Sequence, residues 1–295
     1  MVDWPKISIV TPCFNHDAFI AETIESVLSQ GYPNLEFIVV NDGSTDNSAA
    51  VIERYQKDLT KLVTLNGHRD SPVFAINRGF AETSGELMGW ISSDDVLLPK
   101  SLFSVARVFM DVPEASWITG LASTINSRSE LINSRPRPNN LYDFLTDYRR
   151  VIQQESTFFR RSLWNESGGM LEEASKQAFD TELWTRFIQK AKLFHVSAPL
   201  GAFRQGNQSR STNDPGKFAE WNQRSLGALR ARSTRRDFVL ARIWGILNHP
   251  YFPGILGVLP DRMLKKIFPA FVDCAVNYDF QNDRWSAATR SAFKR

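Results

Sequence analysis

The sequence predicts an α/β fold: a mostly parallel sheet flanked by helices, with a basic, mostly helical extension at the C-terminus. Three observations carry this. Short, β-branched apolar runs alternate with segments of helical period through the first hundred residues, the pattern of strand–helix–strand units. Polar loops rich in Asn, Asp, Gly and Ser follow the strands rather than precede them. Charge divides the chain: from Arg204 to Arg295 there are 16 Lys/Arg against 7 Asp/Glu, whereas residues 1–203 hold 19 against 25. The chain is accordingly read as a mildly acidic body, residues 1–204, and a basic extension, residues 205–295.

In order, "ISIVTP" (7–12) reads as a strand ended by Pro12. Ile20, Ile24, Val27 and Leu28 recur at helical spacing, with Asn15 or Asp17 as the cap, and Gly31 and Pro33 stop that helix. "LEFIVV" (35–40) is a second strand, and "NDGSTDNS" (41–48) turns into a helix at about 47–57. A strand at about 62–65, a helix at about 73–83 and the strand "ELMGWIS" (86–92) follow. Beyond Pro99 a helix is expected at 100–110, a strand near 116–121 and a Pro- and Asn-rich loop at 133–140. "DTELWTRFIQKAK" (180–192) carries an apolar stripe of Leu183, Trp184, Phe187, Ile188 and Ala191, and 193–204 reads as a final strand plus a turn. Right-handed crossovers then bring "TPCFN", "NDGSTD" and "SSDD" to one rim, where parallel sheets bind ligands.

Composition narrows the class. Hydrophobic residues make up 42% and charged residues 23% of the 295, a globular balance. Cys13 and Cys274 are the two cysteines, which excludes a disulfide framework or a cysteine-based zinc site and fits a reducing compartment. No signal peptide and no run of about 18 apolar residues is read from the sequence, so the expected location is cytoplasmic, at most peripheral on the inner face of a membrane.

Three stretches, "ISIVTPCFNHDAFIAETIESVLSQGYPNLEFIVVNDGSTDNS", "AINRGFAETSGELMGWISSDDVLLP" and "FDTELWTRF", resemble the family 2 glycosyltransferases. The resemblance spans about residues 6–204 and implies a GT-A (Rossmann-like) mixed sheet. It further implies an inverting enzyme using a nucleoside-diphosphate sugar with Mg²⁺ or Mn²⁺. Residue by residue, it places Thr11, Pro12, Phe14 and Asn15 along the donor nucleotide. Asp42 accepts a hydrogen bond from the base, which favours UDP- or dTDP-sugars; Asn77 lines the diphosphate or sugar region, and Ser93 joins the donor nucleotide site beside Asp94. Asp94 becomes the metal ligand and Asp95 sits near the donor sugar or behind the metal. The family's Asp-x-Asp motif begins here with Ser92, and Ile76 stands where many relatives carry Arg, leaving Arg69 or Arg78 for the phosphate.

The chemistry suits these residues. Expelling a nucleoside diphosphate builds charge that a cation on hard carboxylate oxygens offsets. Inversion in one displacement needs a general base, and by the resemblance "DTEL" supplies Asp180. The rival role of Asp180 is a helix N-cap, and Glu182 is the fallback base, though Arg186 at i+4 favours a structural pair. Gln154 or Glu155 faces the acceptor, or else lies in a solvated loop. Arg204 is a candidate phosphate ligand, and the His that often follows it in relatives is absent. His16, His68, His195 and His249 form no ligand spacing.

In the extension, aromatic and aliphatic residues alternate with Arg and Lys over 224–236 and 242–268, broken by Pro250, Pro253 and Pro260. Such segments lie in membrane interfaces or cap a domain. The first reading makes the acceptor a glycan or a polyprenyl-linked glycan in surface polysaccharide synthesis. A catalytically weak sugar-nucleotide-binding protein is the alternative, and Ser92, Ile76 and the missing His support it. A nucleotidyltransferase lacks its Gly-rich phosphate loop here, and no nucleic-acid recognition motif accompanies the basic tail.

Overall fold

The computed structural model describes residues 2–146, 152–176, 178–206, 215–247 and 259–291. The elements run β1 (Ile7–Cys13), α1 (Ile20–Leu28), β2 (Leu35–Asn41), α2 (Ser48–Glu53), β3 (Lys61–Thr64), α3 (Val73–Ala81), β4 (Leu87–Trp90), β5 (Val96–Leu97) and α4 (Ser101–Asp111). Then come β6 (Trp117–Ile125), β7 (Leu131–Arg135), α5 (Leu141–Thr146), β8 (Thr157–Arg160), α6 (Arg161–Glu166), α7 (Phe179–Lys190) and β9 (Phe194–Arg204). The remainder is α8 (Pro215–Arg232), α9 (Arg235–Leu247), α10 (Asp261–Ile267), β10 (Val272–Asp279) and β11 (Arg284–Ser291).

One mixed sheet runs β11-β10-β9-β6-β8-β4-β1-β2-β3. β1 pairs in parallel with both β2 and β4, and β2 with β3. β8 is antiparallel to β4 and to β6, and β9 is parallel to β6. The two reversals cancel, so β1, β2, β3, β4, β6 and β9 all end at the same rim. β1, β2 and β4 are buried throughout or nearly so, as strands covered on both faces must be. Ile20, Ile24, Val27, Leu102, Val105 and Phe109 fill one side of the sheet. Phe80, Trp90, Trp117, Phe159, Trp184 and Phe187 fill the other.

Four local expectations change. The cap of α1 is Phe19, with no side-chain bond; Asn15 Oδ1 instead accepts Thr45 N of the neighbouring loop, and Asp17 donates its backbone N–H to Asp46 Oδ2 there. The second helix is shorter than expected, ending at Glu53. Residues 133–135 are the end of β7, a hairpin strand on β6, rather than loop. Residues 194–204 form one unbroken strand whose pairing with β6 shifts register twice, absorbing the expected turn. The extension is helical at first, but β10 pairs in parallel with β9 and turns through Asp283 (φ 48°) into β11. Within β10, Asp273, Cys274 and Val276 are buried, and two of the three are adjacent, so the strand carries no clean alternation for the sequence to show. Pro250, Pro253 and His249 lie outside the described residues.

Candidate active site

The loop after β4 answers why two aspartates stand together. Val96 and Leu97 pair with Ala202 and Gly201 of β9, closing the "SSDD" segment into a turn with Asp95 N donating to Ser92 O. α1 braces it: Thr23 Oγ1 donates to Asp95 O at 2.8 Å and Leu97 N donates to Ser26 Oγ at 3.1 Å. Asp95 is only 2% exposed and its Oδ1 accepts Arg204 N at 2.7 Å, whereas the Asp94 side chain is 25% exposed. Asp94 is thus the more exposed of the two, and Asp95 is recessed behind it.

Glu155 joins them from the short 3-10 turn Gln154–Ser156. Gly201 makes this possible, since a Cβ there would lie 2.0 Å from Glu155 O. Burial, then the neighbouring Glu155 and Asp94 charges, raise the Asp95 carboxyl well above its ordinary range. Burial likewise pushes Glu155 to about 7, opposed by its hydrogen bond with Asp95 and reinforced by Asp180 and Asp94. Gln154, by contrast, donates to Trp90 O and is buried, so it is neither an acceptor contact nor a solvated loop residue.

Asp180 occupies the second residue of α7, after an N-cap at Ala178 that makes no side-chain bond. The N-cap position is therefore not the one it holds; its Oδ1 accepts the adjacent Thr181 N, at 2.7 Å. Burial pushes its carboxyl from the ordinary 3.8 to about 6, against the lowering effect of those local amides. α7 is fixed by Trp184, stacked 5.7 Å from Trp90 and 5.6 Å from Trp117, which ties the helix start to the end of β4. Glu182 is engaged by Arg186 through Nε and Nη2 at 2.7–3.0 Å and is structural.

The remaining candidates divide. Thr11 and Pro12 end β1 in full burial, and the Thr11 hydroxyl has no hydrogen-bond partner. Phe14 and Asp42 meet at His68: the imidazole stacks on Phe14, and its Nδ1 lies 2.6 Å from Asp42 Oδ2. Ser93 Oγ lies 2.7 Å from His16 Nδ1, which is also 3.9 Å from Asp94 Oδ1. Asn15 (φ 53°) points its carbonyl at the Thr45 and Asp46 amides, bracing two loops instead of reaching a nucleotide. Asn77 exchanges two hydrogen bonds with the Leu171 backbone, Nδ2 donating at 2.9 Å and Oδ1 accepting at 2.8 Å, so the amide expected to face the diphosphate is turned to the backbone. Arg69 lies over Phe74 and Arg78 pairs with Glu82, so neither is aimed at a phosphate.

Arg204 corrects another expectation. It is 5% exposed, and its guanidinium donates to Asp94 O, Asn126 O, Ser129 Oγ and Glu22 Oε2. A planar fork so occupied holds the aspartate loop rather than a phosphate. Arg204→Ala is expected to destabilise the fold by about 3 kcal/mol, read by urea denaturation, because buried acceptors lose their donor. His16 and His68 were missed because each reaches the rim from its own strand end, and no linear spacing links residues 16 or 68 to 94 or 42. His195 belongs elsewhere, beside Asn139.

A family model described as Glycosyl transferase family 2 matches residues 8–168, more than half of the chain. The chain belongs to glycosyl transferase family 2. An uncharacterized glycosyltransferase of Rickettsia prowazekii is 26% identical over 196 residues, covering 64% of this chain and 61% of that protein. The GalNAc(5)-diNAcBac-PP-undecaprenol beta-1,3-glucosyltransferase of Campylobacter jejuni is 32% identical over 105 residues, 35% of this chain and 34% of that one. The chain thus spans less than two thirds of the length of these relatives. Among solved structures, S. aureus TarS in complex with UDP-GlcNAc superposes with a TM-score of 0.61 at 18% identity. That match covers 77% of this chain and 67% of the solved TarS 1–349 chain, and it shows a shared fold.

Proposed function

We propose that this family 2 chain is an inverting glycosyltransferase that moves a sugar from a nucleoside-diphosphate sugar, with UDP or dTDP favoured, to a hydroxyl of a glycan or lipid-linked glycan. The observation that carries the reading is Asp180: a recessed carboxyl on a fixed helix start, pushed to about 6, close enough to Glu155 that its charge and that of Asp94 both act there. A carboxylate of that basicity takes a proton more readily than a solvent-exposed one. In the displacement, Asp180 accepts the acceptor hydroxyl proton while the hydroxyl oxygen bonds the anomeric carbon. The bond from that carbon to the diphosphate oxygen breaks opposite it, and the diphosphate leaves with the electron pair. Thr11, Pro12 and Phe14 line the base, and Asp42 accepts from its N–H.

The rim suits a divalent cation, Mg²⁺ or Mn²⁺. Asp94 would hold it, with Asp95 and Glu155 behind as an acidic set that raises its own proton affinity. Among the described residues no three His, Cys, Asp or Glu side chains form a cage, so substrate and water oxygens would complete the shell. When bound, the cation supplies charge neutralisation of the leaving diphosphate.

Peripheral membrane contact is part of the same reading. No described helix is long and apolar enough to cross a membrane. On α9, however, Val239, Ile243 and Ile246 form an exposed stripe at i, i+4 and i+7, flanked by exposed Arg235, Arg236 and Arg242. The opposite face is packed through Ala241 and Trp244. Such a face suits an anionic lipid surface, and a lipid-linked acceptor would be met there. The full chain is expected to float with phosphatidylglycerol-containing vesicles and not with pure phosphatidylcholine. Val239→Glu with Ile246→Glu should abolish flotation; persistence in that variant would remove the membrane part of the reading.

The transferase reading is tested by nucleotide release from UDP-, dTDP- and GDP-sugars, with and without Mn²⁺, supplied with polyprenyl-linked glycans as acceptors. Donor binding without release under every condition would favour the sugar-nucleotide-binding alternative.

A further inference from the structure

The two side chains proposed above to recognise the base already have a ring against them. His68 lies flat on Phe14, with ring centroids 3.7 Å apart and planes 8° apart, and its Nδ1 is 2.6 Å from Asp42 Oδ2. An aromatic face and an N–H directed at a carboxylate are the same two contacts a pyrimidine base would make with Phe14 and Asp42. At 3.7 Å the rings are in contact, so no base fits between them. Base and imidazole must compete for one face and one acceptor.

The backbone holds His68 in this position. Leu65 N donates to Asn41 O at 2.9 Å, continuing the β2–β3 ladder into the loop. Gly67 (φ 115°) then crosses Gly43 so closely that a Cβ on Gly43 would lie 2.5 Å from Gly67 Cα. On the far side of His68, the Arg69 guanidinium sits 3.6 Å from the Phe74 ring centroid. The physical need for such a contact is plain: Asp42 is 1% exposed, and a carboxylate so buried requires a donor whether or not nucleotide is present.

We propose that His68 is an internal stand-in for the nucleobase, displaced from Phe14 and Asp42 when the nucleotide binds. This rests on the base-pocket reading given under the proposed function. The protein then exists in a closed form, with His68 in the base position, and an open form that binds, and the observed affinity is the open form's reduced by its population. His68 thereby sets donor affinity without touching the sugar.

The test is calorimetric titration of UDP into the full chain with Mg²⁺ present, comparing wild type with His68→Ala and His68→Asn. Ala removes both contacts and should bind about tenfold more tightly, the gain expected when a closed form of about nine-tenths occupancy is lost. Asn keeps an N–H for Asp42 without the ring and should fall between. The His68 ring resonances of wild type should also shift on UDP addition. Weaker or unchanged binding by His68→Ala, with wild type binding UDP, overturns the inference and leaves the base-pocket reading intact. If neither wild type nor variants bind UDP, dTDP or GDP, both fall. Should His68→Ala melt far below wild type, the Asn variant and the ring shift decide: unchanged affinity and unmoved resonances reject the stand-in.

Discussion

Asp180→Asn is expected to lower kcat/KM by about 10³-fold, within the range that a positioned base contributes, while raising thermal stability. The two effects have one cause. A carboxyl held at about 6 rather than 3.8 binds its proton more tightly in the folded chain than in the unfolded one. Its stabilising contribution is therefore complete below the unfolded value and is lost as pH rises through 6. At pH 7 the ionised group costs on the order of 2 kcal/mol, allowing for its partial exposure, and the neutral isostere removes that cost. A residue retained at a cost in stability is the pattern of a functional group. The wild-type pH profile follows the same titration. Since the base must be ionised, kcat/KM should fall tenfold per unit below about 6 and level off above it. An Asp180→Asn chain with near-normal turnover, or a flat wild-type profile from pH 5 to 7, would move the base elsewhere.

Asp94→Ala is expected to reduce nucleotide release by about 10²- to 10³-fold and to abolish its dependence on Mn²⁺, the scale of losing a group that organises charge stabilisation. Its neighbour serves as the control. Asp95 is buried and receives the Arg204 amide, so Asp95→Ala should lower the melting temperature and disturb the loop that carries Asp94. Asp94→Ala should leave the melting temperature close to wild type, because its side chain is partly exposed. Retained metal-dependent release in Asp94→Ala would mean the cation is held by other groups. A melting temperature lowered by Asp94→Ala as much as by Asp95→Ala would make both aspartates structural.

The alternation of strand and helix over the first hundred residues determined the parallel half of the sheet, because periods of 2 and 3.6 are written in consecutive residues. The same alternation brought "TPCFN", "NDGSTD" and "SSDD" to one rim, since loops after parallel strands emerge on one side. Asp180 at a helix start and the Glu182–Arg186 pair were also legible, as both are contacts within a few residues. Asn77, Gln154 and Arg204 were not. Each is a polar side chain whose partner lies 64 or more positions away, at Leu171, Trp90 and Asp94, and residue type does not say whether a polar group meets substrate or backbone. Strands β10 and β11 were masked by the basic residues around them, and only pairing with β9 makes them part of the sheet. His68 shows the same limit most sharply. By itself the sequence determined which loops share the rim. Only the tertiary structure decided which side chains there face the cleft and which hold it in shape, because that choice is made by burial and by hydrogen bonds between distant segments.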